Sequence, residues 1–141
     1  MTWLKNLFQT AFANQIIDIE LGKQKVLKHG NLNSIRTFID IDDAMEAYWL
    51  TALRGRVGEI YNIGGDKIIS VKNFLKALCK ESKKEIICKI DKNLLRPTDV
   101  TLQITNSEKF RKHTNWRPRI KFKDSVIKLI KECKELKSIE Y

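Results

Sequence analysis

The sequence is poor in the patterns that build phosphate loops and metal centres. Its six glycines, Gly22, Gly30, Gly55, Gly58, Gly64 and Gly65, form neither GxGxxG nor GxxxxGK[ST]. Those patterns let backbone amides close around a phosphate, so no phosphate loop is expected, and Gly64-Gly65 reads as a turn. The two histidines, His29 and His113, are far apart, and the three cysteines, Cys79, Cys88 and Cys133, contain no CxxC. Metal sites need clustered ligands, so none is expected. An odd cysteine count, with Cys79 and Cys133 on apolar helix positions, fits buried, reduced thiols and a cytoplasmic location. There is no GxSxG nucleophile elbow. No tyrosine has a lysine four residues on, so a Tyr/Lys catalytic pair on one helix face is missing. No apolar run approaches the ~18 residues of a membrane span. The opening, MTWLKNLFQTAF, is amphipathic and lacks the apolar core and cleavage site of a secretory leader.

What is present is enough apolar sequence for a core and a large excess of lysine. Of 141 residues, 43% are hydrophobic, which suits one globular domain. The 27 Lys plus Arg against 17 Asp plus Glu leave a net charge of +10. Such a balance raises nucleic acid or anionic lipid as partners. The lysines are scattered over polar helix faces, however, and over 121–137 acids are interleaved with them. A solvated basic surface is therefore expected, with no nucleic-acid or membrane partner.

Hydrophobic periodicity predicts short strands alternating with helices, an α/β class. Leu4, Leu7, Phe8, Ala11, Phe12, Gln15, Ile16 and Ile19 follow a helical period that Gly22 ends. A short strand over 25–28, a turn at Gly30-Asn31 and an extended RTFIDI (36–41) follow. Asp42 or Asp43 is expected to cap the next helix, with Met45, Tyr48, Trp49, Ala52 and Leu53 as its buried stripe and Gly55 and Gly58 at its end. The acids Asp40, Asp42 and Asp43 read as cap residues before they read as paired catalytic carboxylates. GEIYNIGG (58–65) is a predicted strand and EIICKI (85–90) a predicted buried strand. Between them Ser70 caps a helix with Val71, Phe74, Leu75 and Leu78 inward. VTLQI (100–104) alternates like a strand. Asn106 or Ser107 starts a short helix, Asn115 ends it in the left-handed conformation, and Trp116 packs inward. A last helix buries Phe122, Val126, Leu129, Ile130 and Cys133.

LLRPTDV (94–100) places an arginine directly before a proline, with a carboxylate three residues on. Proline fixes its own φ and keeps the preceding residue extended. Arg96 is thus presented on stiff backbone, an arrangement suited to an anion and equally found in ordinary loops.

GNLNSIRTFIDIDDAMEAYWL, GEIYNIGG followed by SV, LLRPTDVTLQI and SEKFRKHTNWRPRIKFKDSV occur in an order and spacing that resemble the C-terminal part of GDP-mannose 4,6-dehydratases and the related GDP-4-keto-6-deoxymannose reductases. Both are extended short-chain dehydrogenases/reductases acting on sugar nucleotides. UDP-sugar epimerases and dTDP-glucose dehydratases are similar more loosely. The resemblance covers nearly the whole chain. It implies that residues 1–141 are a single small substrate-binding domain, and that the N-terminal Rossmann half, with its glycine fingerprint, NAD or NADP and Tyr/Lys pair, is absent. The complete enzyme would oxidise C4 of the hexose, eliminate water across C5 and C6 and return the hydride to C6. This portion would bind the GDP-sugar, hold no cofactor by itself and be catalytically inactive alone. A separate chain or missing half is implied as partner, and self-association is expected from the apolar surface left uncovered.

The resemblance also assigns substrate-binding roles. Arg36 and Arg96 would grip the diphosphate and nucleoside, as planar guanidinium forks suit phosphate oxygens. Asp99 would accept from ribose hydroxyls or the base, or orient Arg96. The pattern departs at Thr37, where many relatives have Asp, and at Asn115, where glycine is common. Asn62 and Trp116 match it and read as structural. A reductase or epimerase half is the nearest alternative, and a non-enzymatic basic module for RNA or anionic surfaces a further one.

Overall fold

A computed structural model describes residues 7–139. Helix α1 (Phe8–Glu20) leads to strand β1 (Leu27–His29) and strand β2 (Ile35–Phe38). Helix α2 (Ile41–Arg54) follows, then β3 (Lys67–Ser70), α3 (Val71–Lys80) and β4 (Cys88–Ile90). A 3-10 turn (Lys92–Leu94), β5 (Leu102–Gln103), α4 (Glu108–Thr114) and α5 (Phe122–Ile139) complete the mixed α/β order.

The strands form two small sheets. β1 and β4 pair in parallel, with Leu27 opposite Cys88 and His29 opposite Ile90. β2 is the centre of the other sheet, antiparallel to β3 and parallel to β5. Branched and aromatic residues (Ile35, Thr37, Phe38, Ile68, Ile69) suit this pleated surface.

The main core lies between α1, α3 and α5. Phe12, Ile16, Leu75, Leu78, Val126, Ile130 and Cys133 are buried there, with Leu27 of β1 beneath them. Full burial of a side chain such as Leu78 contributes about 1.5–3 kcal/mol. Phe38 stacks on Phe74 at 4.8 Å, and Phe8 and Phe122 meet Phe74 edge-on, so the central sheet is tied to all three helices. A second cluster joins Ala47 of α2 to Phe110 and Trp116.

Local chemistry sets most boundaries. Gly22 (φ 75°) takes the left-handed conformation after α1, and Asn115 (φ 57°) does so after α4. Trp116, which follows, is buried. The Ser70 hydroxyl accepts from the Asn73 amide and caps α3. The side-chain oxygen of Asn106 accepts from the Glu108 amide at the start of α4, while Ser107 makes no side-chain cap.

Several expectations are corrected. Asp40, not Asp42 or Asp43, caps α2: its carboxylate accepts from the Asp42 amide at 3.0 Å. Asp43 is buried and accepts from the amides of Arg119 and Ile120, anchoring the segment before α5. The expected buried stripe of α2 faces outward: Met45, Tyr48, Trp49, Ala52 and Leu53 are all exposed, Tyr48 by 59% and Trp49 by 66%. Small Ala47 instead allows close approach to Phe110 and Trp116, and it is fully buried. The helix is apolar over most of its circumference, and periodicity alone does not say which side is covered first.

Residues 58–65 are not a paired strand. Tyr61 and Ile63 pack on the second cluster while Ile60 is 81% exposed, so the alternation of a strand is kept without a neighbour. Over 85–90 only Cys88–Ile90 is strand, and it is exposed, because β4 has one partner, β1. The strand expected over 25–28 runs Leu27–His29. Leu7 is exposed, and Leu4 lies outside the described residues.

Candidate substrate site

The register of β2 places Arg36 directly opposite Gln103 of β5. One guanidinium nitrogen donates to the Gln103 side-chain oxygen at 2.8 Å, and another lies 3.7 Å from the Asp99 carboxylate. Asp99 is itself fixed from the other side. Its Oδ2 accepts from the Asn31 side-chain amide at 2.9 Å and from the Ser34 hydroxyl at 3.1 Å. The Asn31 hydrogen bond, then that of Ser34 and the charge of Arg36, hold the Asp99 carboxyl below its ordinary range against a smaller opposing effect of burial. The result is an anion that stays ionised and orients a cation.

The backbone explains why these distant segments meet. Parallel pairing of β1 with β4 delivers Gly30-Asn31 beside the turn that follows β4. The Asp91 amide donates to the His29 carbonyl at 2.8 Å. At Gly30 a Cβ would collide with the Leu94 backbone, so the two turns can approach only because that residue is glycine. The chain then passes Arg96 and reaches Asp99, while Ile35 donates its amide to Thr101.

Arg36 and Asp99, two of the three residues picked from sequence, are therefore in one constellation. Arg96 lies three positions before Asp99 in the same loop, is exposed, and forms no hydrogen bond or ion pair with the described residues. Apolar side chains of the surrounding surface, Leu94, Leu95, Val100 and Leu102, are exposed as well. Sequence reasoning missed Asn31, Ser34 and Gln103. The Gly-Asn turn signalled Asn31, and alternation in VTLQI put Gln103 on a polar face. Nothing signalled Ser34.

Neither Arg36 nor Arg96 lines either of two cavities, although Asn31 and Leu95, which belong to this same surface, line the first. One of about 850 Å³ separates α3 from the β1–β4 pair, lined by His29, Lys72, Lys76, Cys79, Cys88 and Ile90 among others. Another of about 670 Å³ lies between α1, the start of α2 and α5, with Asp40, Asp43, Phe122 and Lys128 on its wall. The acids here serve structure. Burial works to raise Asp40, but hydrogen bonds from Ser125 and the Asp42 amide and the nearby Lys128 outweigh it, and its pKa is lowered. Lys128 also pairs with Asp42.

Gly64 and Gly65 are pressed against other parts of the chain. A Cβ at Gly64 would meet the Thr105 side chain, and one at Gly65 would meet the Phe38 backbone. Both glycines serve close packing of the chain on itself, not a cradle for pyrophosphate. Among the described residues no three His, Cys, Asp or Glu side chains are grouped to hold a metal ion.

The arrangement of helices and sheets corresponds to part of the extended short-chain dehydrogenases/reductases. RMD from Pseudomonas aeruginosa, solved with NADPH, superposes with a TM-score of 0.85 at 20% identity, over 94% of this chain and 44% of that one. The UDP-glucose 4-epimerase of Thermotoga maritima, solved with UDP-glucose, gives 0.73 at 20% identity, over 92% and 40%. The family model for GDP-mannose 4,6 dehydratase matches residues 5–129, and the chain belongs to that family. Human dTDP-D-glucose 4,6-dehydratase is 31% identical over 79% of this chain and 33% of its own length. The GDP-mannose 4,6 dehydratase of Dictyostelium discoideum is 28% identical over 89% and 39%. The chain thus spans between a third and two fifths of the length of these relatives.

Proposed function

We propose that these 141 residues are the nucleotide-sugar-binding portion of a GDP-mannose 4,6-dehydratase-like enzyme. Arg36 and Arg96 neutralise the diphosphate, and Asp99 sets the direction of the Arg36 fork. The observation that carries this reading is the Arg36 constellation. Gln103, Asp99, Asn31 and Ser34 hold one guanidinium in place before any ligand arrives, which reduces the entropy lost on binding. Asp99 orients Arg36 in this reading, not Arg96. Oxidation and elimination belong to a complementing half in this reading, since among the described residues no acid–base pair or dinucleotide cradle lies beside the arginines.

Two bare features support such a half as partner. α2 presents Met45, Tyr48, Trp49 and Leu53 to solvent on one side while its other side is packed. A helix apolar on both sides is one covered on both sides in its working state. Beside it, residues 59–63 keep the alternation of a strand with no strand paired to them among the described residues. A Rossmann-type sheet supplies both a strand edge and an apolar face. NAD or NADP would be held there, outside these residues.

The RNA-binding alternative is less well supported. Many basic side chains are already engaged with acids: Lys109 with Glu59, Lys128 with Asp40 and Asp42, Lys134 with Glu20, Lys137 with Asp18, and Arg111 with Asp66.

The test is a titration of the labelled chain with GDP-mannose, following the arginine Nε–H signals by NMR. Arg36 and Arg96 should shift, and oligonucleotides should leave them unmoved. Movement by RNA, with a steep salt dependence, and none by GDP-mannose would overturn the reading.

A further inference from the structure

Cys79 and Cys88 come from different elements and end on one cavity wall. Cys79 is in the last turn of α3 and half-buried, whereas Cys88 opens β4 and is exposed. Both line the cavity of about 850 Å³ between α3 and the β1–β4 pair. Cys79 also senses the other thiol. Burial, and then the charge and hydrogen bond of the adjacent Cys88, push the Cys79 thiol up to about 12. Cys133 is set apart in the main core, packed with Val126 and Ile130.

We propose that Cys79 and Cys88 form an intramolecular disulfide on exposure to hydrogen peroxide, fastening β4 to the end of α3. The Cys88 thiolate attacks one peroxide oxygen, and the O–O bond breaks. Hydroxide leaves, taking up a proton to become water, and Cys88 becomes a sulfenic acid. The Cys79 sulfur then displaces that hydroxyl as it loses its own proton, and a second water departs. Two thiols give up two electrons and the peroxide accepts them. Cys88 is the attacking thiol because it is exposed; Cys79, half-buried on the same cavity wall, resolves the intermediate.

The bond has a structural consequence. β4 pairs with β1 and runs into the turn at Lys92–Leu94, whose Leu94 backbone touches Gly30. The loop carrying Arg96 and Asp99 follows. A covalent tie at Cys88 therefore restrains the strand from which that loop departs. This inference stands on the cysteine geometry alone and is independent of the nucleotide-sugar reading.

The experiment treats the reduced, folded chain with hydrogen peroxide, alkylates the remaining thiols under denaturing conditions and maps the peptides by mass spectrometry. The mass should fall by two hydrogens, with Cys79 linked to Cys88 and only Cys133 alkylated. Amide exchange over 88–99 should slow. Cys133→Ser should behave identically, and in Cys79→Ser a dimedone probe should trap Cys88 as its sulfenic acid. Cys88 over-oxidised with Cys79 still alkylatable would overturn the proposal. So would links formed only between chains, or a Cys79–Cys88 link that forms no faster in the folded wild-type chain than in guanidinium. The wild-type mapping decides even where a variant fails to fold.

Discussion

The Arg36 guanidinium lies 3.7 Å from the Asp99 carboxylate and donates to Gln103, while Asp99 is held by Asn31 and Ser34. A guanidinium has five N–H donors, so a fork so placed has donors left over for a phosphate. Arg36→Ala should weaken GDP-mannose binding by about ten- to a hundredfold, the equivalent of roughly 1.5–3 kcal/mol for charge-assisted hydrogen bonds. Arg36→Lys should recover only part of it, since a point charge does not reproduce the bidentate fork. Calorimetry at fixed ionic strength reads both. Unchanged affinity in Arg36→Ala would remove this residue from the site.

Asn31 touches Asp99 and is assigned no ligand contact. Asn31→Ala leaves Asp99 with one side-chain donor fewer and loosens Arg36. Binding should fall several-fold while the thermal midpoint changes little. An unaltered Arg36 Nε–H signal in this variant would show that Asn31 does not position the cation.

Asp40 caps α2 and pairs with Lys128 across to α5. Its pKa in the folded chain lies below the ordinary 3.8. The stability it contributes is therefore present in full above that range and lost as pH falls through it towards the lower folded value. Asp40→Asn keeps a capping oxygen but not the charge, so its acid unfolding limb should be shallower than that of the wild type below about pH 4. Asp40→Ala should cost about 1 kcal/mol at neutral pH through the lost cap. Denaturant melts at neutral and acid pH separate the two effects.

Tyr48 and Trp49 lie on the bare face of α2. Trp49→Lys should leave stability within about 0.5 kcal/mol, as expected of a surface change. It should also reduce self-association seen by sedimentation at high concentration. A wild-type chain that stays monomeric at the same concentration would contradict the expectation of a sticky face.

Asn115 sits at φ 57° after α4. Glycine adopts this conformation without a Cβ penalty, so Asn115→Gly should be neutral to slightly stabilising. Asn115→Val should destabilise by about 1–2 kcal/mol. Thermal melts of the pair check the assignment.

Sequence alone determined the features that depend on nearest neighbours. Gly22 and Asn115 end helices because backbone sterics leave few residues able to turn left-handed. Ser70 caps α3, and Val71, Phe74, Leu75 and Leu78 face inward because a 3.6-residue period fixes which side chains share a face. The motifs were enough to reach the family. Tertiary structure decided what depends on partners distant along the chain. Asp43 left the cap for the amides of Arg119 and Ile120, and α2 buried Ala47 in preference to its larger side chains. Residues 58–65 remained without a strand beside them. In each case more than one local arrangement was compatible with the residues, and only the approach of another segment chose between them. The same holds at the site: Arg36 and Asp99 were legible as chemical types, but their alignment came from β1–β4 pairing and a glycine that lets two turns touch.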